Sequence, residues 1–161
     1  MERITWEYGI TPKEIVDLMK DVIMDKSLCH VGCSDGSFMQ HCRKYTSSVV
    51  GIEKNEYDAE CARAKGLSVV TGNALIDDMP DADVYYLWWL GVGDTQKISE
   101  RLTGKVRIFG CSDDRDLNDY IGKLNPEYRK IEYIRKSLSR LTMQHREDIR
   151  LIGMYTLSIV Q

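Results

Sequence analysis

Gly32, Gly36, Glu53 and Asn73 are the residues whose types and spacing could hold a nucleoside. The two glycines bracket a turn, "GCSDG", that follows the short run Leu28–Val31. Without Cβ atoms they let the backbone turn sharply and approach a ligand closely. Amides at the start of the next helix would then face an anionic group. Glu53 ends the apolar run Val49–Ile52, 17 residues beyond Gly36. A carboxylate there can accept hydrogen bonds from both hydroxyls of a ribose. Asn73 and Ala74 close "LSVVTGNA", and the Asn73 side-chain carbonyl is an acceptor suited to the exocyclic amine of adenine.

These positions need a scaffold that brings successive strand ends together. Short apolar strands are expected near 28–32, 48–52, 67–71, 83–89 and 104–109, with helices near 37–46, 55–65, 93–102 and 114–124. A helix precedes them. Ile15, Leu18, Met19, Val22 and Ile23 make one apolar stripe, and Thr11, Pro12 and Glu14 form a capping box with proline at the first helical position. Strands separated by helices pair in parallel through right-handed crossovers. The expected fold is therefore a three-layer α/β/α sandwich. "EYRKIEYIRK" and "IRLIGMYTLSIV" break that rhythm, because no convincing helix lies between them. They should form an antiparallel hairpin.

Composition narrows the function. A chain of 161 residues is about one domain, and 43% hydrophobic with 29% charged residues is ordinary for a globular protein. The net charge of −3 gives no overall reason to expect a nucleic-acid or membrane surface. Residues 129–150 are locally basic, which suits a solvated hairpin. No apolar stretch reaches membrane-spanning length and the N-terminus lacks a signal-peptide pattern. Cys29, Cys33, Cys42, Cys61 and Cys111 are odd in number, and most sit in apolar segments. That favours reduced thiols in a cytoplasmic setting. No paired Cys/His set completes a metal site.

In the same order, "HVGCSDGSF", "VVGIEKN", "VTGNAL" and "DADVYYLWW" resemble the glycine-rich, ribose, adenine and fourth-strand motifs of class I S-adenosylmethionine (SAM) methyltransferases. The resemblance covers nearly the whole chain, final hairpin included. Within that class, "YGITPKEIVDLM" and the same motifs most resemble small, single-domain archaeal-type protein-lysine methyltransferases. The resemblance implies SAM as cofactor, held by Tyr8, Thr11, His30, Gly32, Ser34, Gly36, Phe38, Glu53, Lys54, Asn73 and Ala74. Three of these depart from the family pattern. His30 and Asn73 stand where acids are usual, and Ser34 stands for a middle glycine. No Asn-Pro-Pro-Tyr-like signature follows the fourth strand, which argues against amino methylation of DNA bases.

Methyl transfer from a sulfonium asks mainly for positioning. Tyr86 and Trp88, at the end of the fourth strand, are the acceptor-side candidates, since aromatic faces attract ammonium and sulfonium cations. A protein lysine or a small molecule is the expected acceptor. Two alternatives stay open. The departures at His30, Ser34 and Asn73 are compatible with a SAM-binding interaction module. A nicotinamide-dependent oxidoreductase would use Glu53 in the same way, but its fingerprint needs glycine where Ser34 and Ser37 stand.

Overall fold

The computed structural model describes residues 2–4, 12–88, 90–112, 114–134 and 154–161. In chain order the elements are β1 (Glu2–Ile4), α1 (Pro12–Leu18), α2 (Lys20–Ile23), β2 (Ser27–Val31), α3 (Ser37–Cys42), β3 (Ser48–Glu53) and α4 (Glu56–Ala64). There follow β4 (Ser68–Thr71), β5 (Val84–Trp88), α5 (Val92–Glu100), β6 (Val106–Ser112), α6 (Arg115–Leu124), β7 (Arg129–Ile134) and β8 (Met154–Val160). The strands make one sheet in the order β1-β7-β8-β6-β5-β2-β3-β4. Pairs among β2 to β6 are parallel, and β8 runs antiparallel to both β6 and β7. The mostly parallel sandwich with an antiparallel C-terminal pair is the architecture expected from the sequence.

Side-chain alternation on the central strands buries both faces of the sheet, as parallel sheets require. Leu28, Val84, Tyr86 and Ile108 pack against Ile15, Val16, Met19 and Ile23 of the first helical segment and Cys42 of α3. On the opposite face Cys29, Val31, Tyr85 and Leu87 meet Ile98 of α5, while Phe109 and Val160 meet Leu117 and Ile121 of α6. Gly51 marks where α3 comes closest: a Cβ there would lie 2.5 Å from Cys33 Sγ and 2.9 Å from Met39 Sδ.

Two features differ from the sequence expectation. The first helix is broken between α1 and α2 at Met19, whose φ of −105° and ψ of 6° leave the helical range. Met19 is fully buried there, so the apolar stripe continues across a break in the hydrogen bonding. The second is β1, which adds a parallel edge strand through Glu2↔Ile131 and Ile4↔Tyr133. Thr11, half of the expected capping box, lies outside the described residues.

The sheet's other edge is β4. Arg63 of α4 lies along it, with Nε donating to the Val69 carbonyl at 3.1 Å and Nη2 to Thr71 Oγ1 at 2.5 Å. Its Nη1 pairs with Glu60 at 3.0 Å and Glu56 at 3.3 Å. No helix among the described residues is long and apolar enough to cross a membrane.

Candidate functional site

The sheet order reverses between β2 and β5. From β2 the chain steps outward to β3 and β4; from β5 it steps the other way to β6. Open α/β sheets bind ligands beyond the carboxyl ends of the strands at such a reversal. The first turn beyond β2 is built there from left-handed residues. Gly32 has φ 72°, Ser34 φ 51° and Gly36 φ 77°. Ser34 occupies the position without glycine's freedom, at a conformational cost of about 1–2 kcal/mol.

Glu53 holds that turn in place. Its Oε2 accepts from Ser34 N at 2.8 Å, and its Oε1 accepts from Asn55 N at 2.9 Å. One carboxylate thus joins the β2 turn to the start of α4. It is only 9% exposed, and each oxygen keeps further acceptor capacity for a ligand hydroxyl. Backbone bonds from Gly32 N and Cys33 N to the Ile52 carbonyl tie the same two strand ends together. Lower in the turn, Lys65 Nζ donates to Asp35 Oδ2 and to the Asp35 carbonyl, both at 2.8 Å. That ammonium, with the Ser37 hydroxyl and amide, holds the Asp35 carboxyl down at a pKa of about 2.

A cavity of about 410 Å³ opens above these strand ends, within the usual range for small-ligand sites. Gly32 and Ser34 form its floor with Val31 and Ile52. Glu53 and Lys54 line one side, Gly72 to Leu75 another, and Leu90, Asp94 and Ile98 come from the β5–α5 connection and α5. A Cβ on Gly32 would lie 2.8 Å from Leu90 Cδ2, so Leu90 would have to shift, and the φ of 72° itself favours glycine there. Beyond β4, Asn73 makes a closed turn. Its Oδ1 accepts from Leu75 N at 3.0 Å, and its backbone N donates to Asp77 Oδ2 at 2.7 Å. No group of His, Cys, Asp and Glu among the described residues could hold a metal ion.

Six of the residues singled out in the sequence therefore share this cavity: Gly32, Ser34, Glu53, Lys54, Asn73 and Ala74. Gly36 lies behind the turn, against Leu67 and Ala62. His30, Phe38 and Tyr86 do not line the cavity but pack together below it. Phe38 and Tyr86 stack at 4.5 Å, and the His30 ring meets both edge-on at 5.2 and 5.0 Å. Tyr86 is 1% exposed, because a central parallel strand buries alternate residues on each face. Tyr8, Thr11, the Trp88 side chain and most of the basic stretch 129–150 lie outside the described residues. Leu90, Asp94 and Ile98 line the cavity without having been marked by a motif. Asp94 and Ile98 stand four apart on one helical face, but an acid with an aliphatic residue leaves no apolar periodicity to mark them.

His30 carries a testable consequence. It is 5% exposed, and neither ring nitrogen has a hydrogen-bond partner among the described residues. Burial pushes its pKa down to about 3, against 6.5 for an ordinary histidine. Between those values the unfolded chain binds a proton that the folded chain does not. Stability should thus be unaffected above about pH 6.5 and fall below it, by up to about 1.4 kcal/mol per pH unit. Denaturant unfolding of the wild type and His30→Leu at pH 7, 5.5 and 4.5 checks this. The variant should lack that component of the acid sensitivity; parallel pH profiles would show that the folded protein protonates His30 normally.

No protein-family model matches the chain, and no curated protein matches it in sequence. Solved structures do match. The precorrin 8W decarboxylase of Methanobacterium thermoautotrophicum aligns with a TM-score of 0.66 at 15% identity, over 95% of this chain and 92% of its own. Ribosomal protein L11 methylase of Lactobacillus delbrueckii subsp. bulgaricus gives 0.64 at 14% identity, over 93% and 78%. Magnesium protoporphyrin IX methyltransferase of Synechocystis PCC 6803, solved with bound SAM, gives 0.63 at 13% identity, over 92% and 79%. At these identities the likeness is one of fold. The chain has the Rossmann-like fold found in class I SAM-dependent methyltransferases.

Proposed function

We propose that this protein is a SAM-dependent methyltransferase whose acceptor is a protein lysine or a small nucleophile. The observation that carries the reading is the convergence of Gly32, Ser34, Glu53 and Asn73, from three successive strand ends, on one cavity at the sheet's reversal point. The residues present fit the cofactor. Gly32, left-handed at φ 72°, leaves backbone bare at the cavity, Glu53 presents a carboxylate at a strand end, and Asn73 and Ala74 offer a polar edge to a base.

When bound, SAM supplies an electrophilic methyl group on a sulfonium, and its displacement leaves a neutral thioether. The chain's part is binding and orientation. Glu53 accepts from ribose hydroxyls while keeping the β2 turn in register with β3. Ile52, Leu75, Leu90 and Ile98 give the cavity apolar walls that exclude water. No residue need act as acid or base if the acceptor arrives uncharged, and a dry channel favours the neutral form of a lysine. With Tyr86 committed to packing, Trp88 at the end of β5 is the remaining acceptor-side candidate. The likeness to a ribosomal protein methylase is consistent with a protein acceptor, as is the sequence resemblance to lysine methyltransferases. The free thiols at Cys29, Cys33, Cys42 and Cys61 suit a reducing, intracellular setting.

Calorimetric titration with SAM, followed by a labelled-methyl assay on cell extract sorted into protein, nucleic-acid and small-molecule fractions, tests the reading. Label in protein or small molecules supports it, and label confined to nucleic acid defeats the proposed acceptor. Binding without transfer would favour an interaction module, and binding of NAD instead of SAM an oxidoreductase. Trp88→Ala should depress turnover more than SAM affinity. If both stay unchanged, the aromatic run of β5 is packing alone.

A further inference from the structure

On α5, Asp94 and Ile98, with Arg101 just beyond the helix, recur at i, i+4 and i+7, which places them on one helical face. Arg101 shows where that face points. Its Nη2 donates to the Asp77 carbonyl at 2.8 Å and its Nη1 to the Ala74 carbonyl, so it grips both ends of the turn after β4. Ile98 lines the cavity one turn earlier, and Asp94 lines it one turn before that. Asp94 has no hydrogen-bond or ion-pair partner among the described residues.

The β4 turn presents no carboxylate to the cavity. Asn73 Oδ1 already accepts from Leu75 N, and the Asp77 carboxylate is turned back onto Asn73 N. With Oδ1 engaged by Leu75 N, the group of Asn73 with no bond among the described residues is its amide NH₂, a donor. Glu53 and Asp94 are the carboxylates on the described lining, and Glu53, at the end of β3, is the one assigned to the ribose hydroxyls. A wall with a donor on the turn and an acceptor on the facing helix complements a ring that offers an amine beside a ring nitrogen.

We propose that Asp94 accepts the exocyclic amine of the nucleobase and so selects a 6-amino purine, with Asn73 donating to the ring. The inference rests on the SAM reading above and adds a specificity-determining residue to it. A purine with a 6-oxo group would set a carbonyl oxygen against the Asp94 carboxylate, two acceptors with no proton between them.

The test is calorimetric titration of wild type, Asp94→Ala and Asp94→Asn with S-adenosylhomocysteine and with its 6-oxo, inosine-containing analogue. The wild type should prefer the 6-amino ligand by about tenfold or more, since sites built to hydrogen-bond a group reject analogues that cannot. Asp94→Ala should weaken the 6-amino ligand about five- to tenfold, spare the 6-oxo ligand, and bring the two within about threefold. Asp94→Asn, whose amide can turn either face to the base, should also narrow the preference. Asp94 also complements the dipole of α5 in its first turn, so its removal costs some stability, yet the ratio between two ligands of one folded variant is insensitive to that. An unchanged ratio in folded Asp94→Ala overturns the assignment. So does unchanged binding of both ligands with lost turnover, which would move Asp94 to the methyl acceptor. A wild type that binds neither ligand overturns the SAM reading itself.

Discussion

Glu53→Ala should weaken SAM binding by at least about 100-fold. Two hydrogen bonds from ribose hydroxyls to a charged acceptor are worth about 1.5–3 kcal/mol each, and every 1.4 kcal/mol is a decade in affinity. The substitution also frees Ser34 N and Asn55 N, which Glu53 holds at 2.8 and 2.9 Å. The left-handed Ser34 would then lose the bond that keeps its turn in place. Glu53→Gln is the sharper control. Glutamine has one carbonyl oxygen, so it can serve one of the two amides and must set its own NH₂ against the other. It should lose about 1–3 kcal/mol of stability, the cost of an unsatisfied buried donor, as well as affinity. Calorimetry and thermal denaturation on both variants check this. Unchanged affinity in a folded Glu53→Ala would remove the residue from the site.

Gly36→Ala should be the most destabilising single methyl in the turn. Gly36 sits at φ 77°, and a Cβ there would lie 2.3 Å from Leu67 Cδ1 and 3.0 Å from the Ala62 Cβ. The backbone conformation costs about 1–2 kcal/mol for a non-glycine residue. Overpacking adds about 1–3 kcal/mol. At about 2–4 °C per kcal/mol for a domain of this size, the melting temperature should fall by roughly 5–20 °C. Gly104→Ala isolates the first contribution, because Gly104 has φ 82° but nothing within 4 Å of its added Cβ. It should lose only a few degrees. If the two variants melt together, Leu67 yields freely and the close approach of α4 to the turn does not explain this glycine.

Most of the parallel core was legible because its signals are local. Leu28–Val31 and Val49–Ile52 read as strands, the intervening segments as helices, and Glu53 stood out as an acid at the end of an apolar run. What escaped depends on partners distant in sequence. Three residues at 2–4 have no pattern of their own, and only the register with Ile131 to Tyr133 makes them a strand. Met19 keeps the apolar stripe intact while the backbone leaves the helix, so periodicity could not reveal the break. Tyr86 lies on a strand buried on both faces, where side-chain type does not tell which face carries a site. Asp94, Ile98 and Arg101 mix an acid, an aliphatic chain and a base, and no apolar periodicity marks such a stripe. His30 shows the converse. Its place in the glycine-rich motif implied a ligand contact, whereas its ring packs against Phe38 and Tyr86 and is absent from the cavity lining.

Arg63 bears on how copies of this protein meet one another. Gly72 N donates inward to the Glu53 carbonyl. Strand groups alternate in direction every residue, so the Val69 carbonyl, three positions earlier, points away from the sheet. That outward carbonyl is the acceptor a strand from another molecule would need, and it already holds the Arg63 guanidinium. Val70, 45% exposed beside it, is the kind of apolar residue that makes an open edge adhesive. A newcomer must first displace a cation anchored by Glu56 and Glu60, and would then face a charge without its partners. The guanidinium thus guards β4 against edge-to-edge aggregation.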